Sequence, residues 1–483
     1  MNENITKNLD NYCKSQNRHI FALNFNGKKM LIRFIVKNLF SFKEETEFNV
    51  LPNKTQRLPH HKVKQNYFDV LRLSAIYGAN GSGKSNLIKS IALLESMIED
   101  GKLEPNLNDS KFKLSDENES LPISLAIEFY SKSKVYYYTL TFDNDVILNE
   151  ALYESKKNDD ILIFERNNDN NVQTITFFEG YTDNQKNKLF IEVLAEKILQ
   201  KNEILLTFLN SKYKEEFVDI GNAFEWFDTI LVIIKPDAKP GGIAHILDKN
   251  VALKEFANNL IANLNTGISQ LNVEKKRVEE TIENLDKRKL KNIIENLKKE
   301  PNLLSVLTHS ETGEETTFVY ENDEILVKKL VTTHLNDKGV GVEFSISMES
   351  DGTKRLIDYV PAFNGIINDE RVYIIDEIER SIHPITIKQI ITKISLDQSA
   401  KGQLIFTTHE SCLLDQDILR PDEIWFAQKD IDGTSKLYSL SDFNIHNTAN
   451  IENGYLNGRY GGIPFLSNLQ DLNWHKYEVS EQK

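Results

Sequence analysis

Cysteine is nearly absent from this chain: Cys13 and Cys412 are the only two in 483 residues, and no CxxC pair occurs. That excludes a disulfide scaffold and a cysteine-built zinc site, and it fits a reducing compartment. No stretch approaches the roughly 18 consecutive apolar residues of a membrane-spanning helix. The N-terminal segment also lacks the apolar run of a signal peptide. A cytoplasmic protein with no membrane partner is therefore expected. Positive charge is in deficit too: 58 Lys and Arg against 72 Asp and Glu give a net charge of -14. Any affinity for nucleic acid has to come from a local patch, and whether DNA is bound stays open. No repeat with a fixed period of about 20 to 50 residues is visible.

What is present is ordinary globular composition, 40% hydrophobic and 27% charged, in a chain long enough for two to four domains at about 150 residues each. Residues 1–29 are rich in Asn and Lys and show no sustained period, whereas Met30-Leu-Ile-Arg-Phe-Ile-Val begins a strand-like run. Val70 to Tyr77 reads as a buried strand. Between 121 and 178, short β-branched and aromatic runs alternate with breaks such as Asp143-Asn144-Asp145, the pattern of an antiparallel meander. From about 185 to 299 the pattern is mostly helical. Its last part, with Ile268, Leu271, Val278, Ile282 and Leu285, reads as an amphipathic helix. Lys275-Lys276-Arg277 and Lys287-Arg288-Lys289 lie in that part, but Glu274, Glu279, Glu280, Glu283 and Asp286 are interleaved with them. The charges compensate, which favours a solvated or partner-facing helix over a nucleic-acid stripe.

Gly78-Ala-Asn80-Gly81-Ser82-Gly83-Lys84-Ser85 fits G-x-x-x-x-G-K-[ST] and stands between the strand and an apolar-periodic segment that begins at Asn86. Both contexts that the phosphate-loop reading requires are present. The glycines permit a tight loop whose N–H groups surround phosphate oxygens, and the following helix points its positive end at them. Lys84 is expected to neutralise β and γ phosphates, and Ser85 to place its hydroxyl on Mg2+. Gly78, Asn80, Gly81, Ser82, Gly83, Lys84, Ser85 and Asn86 thus form the expected ATP-binding set. Arg371-Val-Tyr-Ile-Ile375 reads as a second buried strand, followed by Asp376-Glu377. Asp376 is positioned to hold Mg2+ with Ser85, and Glu377 to polarise the attacking water. Gln403 to Phe406 reads as a further strand that ends near His409, a candidate catalytic residue sensing the γ phosphate, since ligands collect at the carboxyl ends of strands in open α/β sheets. Ser350-Asp351-Gly352-Thr353 precedes the helical run Leu356 to Ile367. By itself it is an ordinary helix cap.

The order of these elements resembles the ABC-class ATPases that include RecF, SMC and OLD-type proteins. In that class the signature of one subunit touches nucleotide held by another. The resemblance implies a homo-oligomer, at least a dimer, with Ser350, Asp351, Gly352 and Thr353 acting in trans. Met30-Leu-Ile-Arg-Phe, Asn38-Leu-Phe-Ser-Phe42, Glu349 to Leu356, Asp376-Glu-Ile-Glu-Arg-Ser-Ile-His-Pro384 and Tyr455 to Pro464 look like the RloA/AbiLi group of bacterial ATPases. They are also similar to the ATPase subunit of PARIS-type phage defence. Two features depart from the class. No glutamine lies between the phosphate loop and residue 170 to serve as a Q-loop, and the signature is Ser-Asp-Gly-Thr.

The fold class implied is α/β, an ABC-type P-loop ATPase head with a β-rich lobe and an inserted helical arm. The expected divisions are a peripheral extension (1–29), an ATPase lobe with the phosphate loop and meander (30–180), a helical insertion with a short coiled-coil-like arm (181–340) and a second ATPase lobe (341–483). Too few residues follow His409 for a further nuclease domain of about 100 residues. The resemblance therefore implies a separately encoded TOPRIM-like nuclease effector and a phage-encoded trigger. A DNA-repair or chromosome-maintenance ATPase of the RecF/SMC kind is the competing expectation. A transporter subunit is disfavoured by the large insertions. Arg459, among glycines, reads either as a solvated turn or as a docking element.

Overall fold

The computed structural model describes residues 28–65, 67–170, 172–280, 287–309, 312–446 and 449–463. The expected extension, residues 1–29, falls outside them except for its last two. The central sheet has six strands in the order Leu231–Ile234, Val372–Ile375, Gln403–Thr407, Leu73–Tyr77, Ile424–Lys429 and Ser435–Ser439. The first five are parallel and the sixth returns antiparallel. The strand leading into the phosphate loop is separated from the strand carrying Asp376 and Glu377 by the one leading to His409.

Both faces of this sheet are covered, which is why its strands read as continuous apolar runs. Ile76, Val372, Ile374 and Ile405 pack into one core with Leu87, Ile91, Leu94 and Ile98 of the helix Lys84–Asp100. Leu73, Ala75, Tyr77, Ile375 and Phe406 point into a second core with Leu356, Val360 and Phe363 of the helix Asp351–Asn368. Each such fully buried side chain contributes about 1.5–3 kcal/mol of transfer free energy. The helix Asp351–Asn368 runs directly into the strand Val372–Ile375 and lies antiparallel to it, so the helix begins on the rim where the parallel strands end.

A seven-stranded antiparallel sheet completes the first core, in the order Val172–Phe177, Ile161–Asp169, Val146–Ser155, Lys134–Asp143, Ile123–Ser131, Met30–Lys37 and Thr46–Asn49. Its first five strands are the expected meander, paired consecutively.

The inserted arm differs from the expectation. Helices such as Gln185–Val193, Leu205–Tyr213 and Val251–Asn263 occupy its first part. Ile268–Arg277, however, is a strand of ten residues paired antiparallel with Glu324–Leu335, in a five-stranded sheet with Leu304–Thr308, Glu315–Glu321 and Gly341–Ser345. The cause is a bulge between Ile268 and Gln270. An extra residue there re-phases the pleat and turns both Ile268 and Leu271 inward, a spacing of three that imitates one face of a helix. The helix Lys287–Lys299 packs Leu290 and Leu297 on Phe318 and Val327 of this sheet rather than forming a coiled coil. Ile282 and Leu285 lie outside the described residues. The basic triplet is neutralised locally: Lys275 meets Asp248 at 2.7 Å, Lys276 meets Glu274 at 2.7 Å and Arg277 meets Glu324 at 2.9 Å. Among the described residues, no helix is long and apolar enough to cross a membrane.

Candidate functional site

The phosphate loop is built as a turn that only glycine tolerates at its end. Gly83 has φ 110° and its backbone lies against the Ser435 side chain and Ser41 Oγ. Ser435 Oγ donates to Ser41 Oγ at 2.8 Å and Asn86 Nδ2 donates to the same oxygen at 2.9 Å, so the loop is braced from both flanks. Leu87 N–H bonds Gly83 O at 3.0 Å and starts the helix. Gly78, Asn80, Gly81 and Ser82 therefore curve over a helix N-terminus, the arrangement that binds phosphate. Ser82 Oγ is buried and has no hydrogen-bond partner among the described residues.

Lys84 is buried, and its ammonium donates to the carbonyls of Gly78 (2.7 Å) and Ala79 (3.1 Å). Burial pulls this ammonium down to about 8, opposed by the carboxylates of Glu379, Asp376 and Glu377. A buried cation whose hydrogen bonds among the described residues go to carbonyls suits an incoming phosphate. Ser85 Oγ donates to Asp376 Oδ1 at 3.2 Å, across 291 residues of sequence. Thr407 Oγ1, on the intervening strand, donates to the same carboxylate oxygen at 2.5 Å and accepts from Glu377 N–H at 2.7 Å. One hydroxyl thus fixes both acids, and Glu377 takes a left-handed backbone with φ 51°.

The donor set of Ser85 and Asp376 fits Mg2+, a hard ion that binds oxygen. Among the described residues, no group of three or more His, Cys, Asp or Glu side chains could hold a metal by itself. Such a pair suits an ion that completes its shell from phosphate oxygens and water.

His409 stands two residues past its strand. Burial pulls its imidazole down, and Lys84 adds to the effect, while Glu379, Glu377 and Asp376 oppose it. The backbone N–H of His409 donates to Glu379 Oε1 at 2.7 Å. The structure therefore brings Lys84, Ser85, Asp376, Glu377 and His409 to one rim of the sheet. Two further residues stand with them. Thr407 was signalled only by its place at the end of the strand before His409. Glu379 was signalled only as part of the segment Asp376 to Pro384 that carries the resemblance.

Ser350 is the N-cap of the helix Asp351–Asn368; its Oγ accepts from Thr353 N–H at 3.2 Å and lies 2.9 Å from Thr353 Oγ1. Ser350 and Asp351 are exposed. Gly352 has a reason within its own chain: a Cβ there would lie 2.5 Å from Ser381 O. The signature turn is thereby packed on the segment that follows Glu377. The segment after Tyr455 is anchored internally. Tyr455 and Tyr460 bury their rings on Phe426 of the central sheet, and Arg459 lies over Tyr460 at 5.7 Å. Pro464 and Phe465 lie outside the described residues.

Residues 73–415 match the family described as AAA domain, putative AbiEii toxin, type IV TA system. No curated protein sequence matches the chain. Among solved structures, the chain is similar to the SMC head domain from Thermotoga maritima at 12% identity and TM-score 0.36, with 86% of this chain and 99% of that one covered. An SMC head bound to the C-winged helix domain of ScpA gives 14% identity and TM-score 0.37, with 85% and 97% covered. An SMC head with an extended coiled coil, bound to the C-terminal domain of ScpA and derived from Pyrococcus furiosus, gives 13% and 0.36, with 85% and 96% covered. Likeness this distant says nothing of what the chain binds or with what it assembles.

Proposed function

The chain belongs to the family of AAA domains described as putative AbiEii toxins of type IV toxin–antitoxin systems, and from that premise we propose that it is a Mg2+-dependent ATPase. The observation that carries this reading is the 3.2 Å approach of Ser85 Oγ to Asp376 Oδ1 beside the buried Lys84 ammonium. Phosphoryl transfer asks for little covalent participation, so positioning and charge neutralisation do most of the work. Backbone N–H groups of the phosphate loop hold the phosphates, and Lys84 exchanges its loop carbonyls for phosphate oxygens. Ser85 and Asp376 would hold Mg2+, which would supply charge neutralisation at the phosphates. Glu377, fixed by Thr407, accepts a proton from the attacking water, and His409 hydrogen bonds the γ phosphate.

The exposed Ser350 and Asp351 close the nucleotide of a second copy, which makes ATP the agent of homo-oligomer formation. The family description supports a role in abortive infection. In this reading the protein is a cytoplasmic sensor and scaffold that restrains or releases a separate TOPRIM-like nuclease when a phage-encoded trigger appears. ATP binding, ATP turnover and oligomer mass measured together on wild type, Lys84→Ala and Glu377→Gln test it. The expected result is ATP-dependent association that Glu377→Gln prolongs and Lys84→Ala abolishes. Absence of ATP binding by the wild type would sink the whole reading. Turnover stimulated by DNA alone, with no protein partner, would replace the defence role with chromosome maintenance.

A further inference from the structure

Glu379 lies three residues beyond Asp376, and the roles assigned above leave its side chain without one. Left-handed backbone at Glu377 (φ 51°) and Ser381 (φ 62°) folds this segment into successive tight turns. Arg380 N–H bonds Glu377 O at 3.0 Å and Ile382 N–H bonds Glu379 O at 2.8 Å. The turns curl the Glu379 side chain back toward the strand end, where Oε1 accepts from His409 N–H at 2.7 Å. Its other oxygen, Oε2, is buried and has no hydrogen-bond partner among the described residues. A buried carboxylate oxygen left unpaired is costly, so a donor belongs there. Thr407, at the end of the strand that leads to His409, fixes Asp376 and Glu377, so the bond to the His409 backbone N–H two residues on holds the Glu379 carboxylate at the same rim as those acids.

We propose that Glu379 is a catalytic carboxylate that holds the attacking water together with Glu377. The inference rests on the ATPase reading and deepens it. A water molecule has two hydrogens, and an acceptor for each leaves a lone pair free to face the γ phosphorus. Glu379 Oε2 accepts a hydrogen bond from one hydrogen, and Glu377 takes the other as a proton. The bond from water oxygen to phosphorus forms, and the bond from phosphorus to the bridging oxygen breaks with its electron pair leaving on ADP. Glu379 ends unchanged. Alignment of this kind is worth much in a reaction that depends on geometry.

The competing occupant of Oε2 is structural. The hydroxyls of Tyr77 and Tyr359 are also buried without a partner among the described residues, and both phenols feel the Glu379 charge. Glu379→Gln separates the two. With Oε1 already engaged as an acceptor, the amide oxygen keeps that position, and the NH2 group falls where Oε2 was. An acceptor becomes a donor without change of shape. Single-turnover hydrolysis is expected to fall about a hundredfold, with the Kd for ATP within threefold of wild type. Affinity for ADP–aluminium fluoride with Mg2+, which mimics the phosphoryl group in transfer with the nucleophile in line, is expected to fall about tenfold or more. Tyr77→Phe is expected to leave all three unchanged.

Hydrolysis by Glu379→Gln within threefold of wild type overturns the proposal. So does a loss of hydrolysis matched by an equal loss of ATP affinity, or an equal loss in Tyr77→Phe. Should Glu379→Gln fail to fold, Glu379→Asp, which withdraws the carboxylate by one methylene, is expected to lose at least about tenfold in hydrolysis; unchanged turnover there overturns it too. A wild-type protein that binds or hydrolyses no ATP refutes the ATPase reading instead, before Glu379 comes into question.

Discussion

Gly83→Ala tests the physical account of the phosphate loop without any nucleotide. A side chain at φ 110° is strained by roughly 2 kcal/mol. The new Cβ would also fall on Ser435 Oγ, 2.6 Å from Ser435 Cβ and 3.1 Å from Ser41 Oγ. Rotation of Ser435 removes Oγ and gives up its 2.8 Å bond to Ser41, a further loss of about 1 kcal/mol, while the Cβ contact also forces the backbone to give. The expected destabilisation is therefore at least about 3 kcal/mol, read as a lower urea midpoint at unchanged slope. Ser435→Gly alone should cost about 1 kcal/mol, because it removes the same hydrogen bond while Asn86 still serves Ser41. The steric part is shared between the two changes and the backbone strain is not. The double variant should then be no less stable than Gly83→Ala, a coupling of about 1 kcal/mol. A Gly83→Ala protein within about 0.5 kcal/mol of wild type, or fully additive losses in the double variant, refutes the reasoning.

Lys84 contributes a pH dependence of its own. Its folded value of about 8 lies below 10.5, so between those values the folded chain binds fewer protons than the unfolded one, and stability rises with pH across that window. The cost is fully present below pH 8. Lys84→Met should remove this slope and raise the stability of the nucleotide-free protein at pH 7 by up to about 3 kcal/mol, while losing ATP binding; urea titrations at pH 7 and 9.5 check it. Glu377→Gln should slow single-turnover hydrolysis by about a hundredfold or more with ATP affinity retained, and wild-type turnover would remove Glu377 from its role. Ser350→Ala should cost about 1 kcal/mol of stability through the lost cap and weaken ATP-dependent association. Ser350→Asp should restore the cap but not the association, because its charge would face phosphate; light scattering with and without ATP distinguishes them.

The cluster of side chains at the rim was legible in the sequence because it is written locally. Eight consecutive residues make the loop, and two adjacent acids close a strand whose apolar run announces burial on both faces. The support for that chemistry was not legible, because it comes from far along the chain. Ser41 and Ser435 reach Gly83 from opposite ends of the sequence, and Thr407 reaches Asp376 from the neighbouring strand. Glu379 had no role of its own in the sequence, because its inward turn depends on left-handed backbone at Glu377 and Ser381. The strand Ile268–Arg277 was misread for a different reason: periodicity assumes an unbroken pleat, and a single bulge made a strand carry the spacing of a helix. Helix pattern and bulged strand cannot be separated from one face alone.

The close packing of Gly352 on Ser381 O has consequences for coupling within a single subunit. Ser381 belongs to the turns that begin at Glu377, and these turns place Glu379 against His409 N–H. The turns that begin at Glu377 and the helix cap at Ser350 are thus in direct backbone contact. A larger residue at 352 has to push against backbone rather than against a side chain that can rotate. On the ATPase reading proposed above, a shift of the acidic turn when phosphate replaces the loop carbonyls around Lys84 is expected to reach Ser350. Gly352→Ala should consequently weaken ATP-dependent association and single-turnover hydrolysis together, while Ser350→Asp weakens association yet leaves hydrolytic steps confined to one subunit unaltered. If Gly352→Ala leaves both at wild-type levels, the turn is soft, and the rim does not transmit.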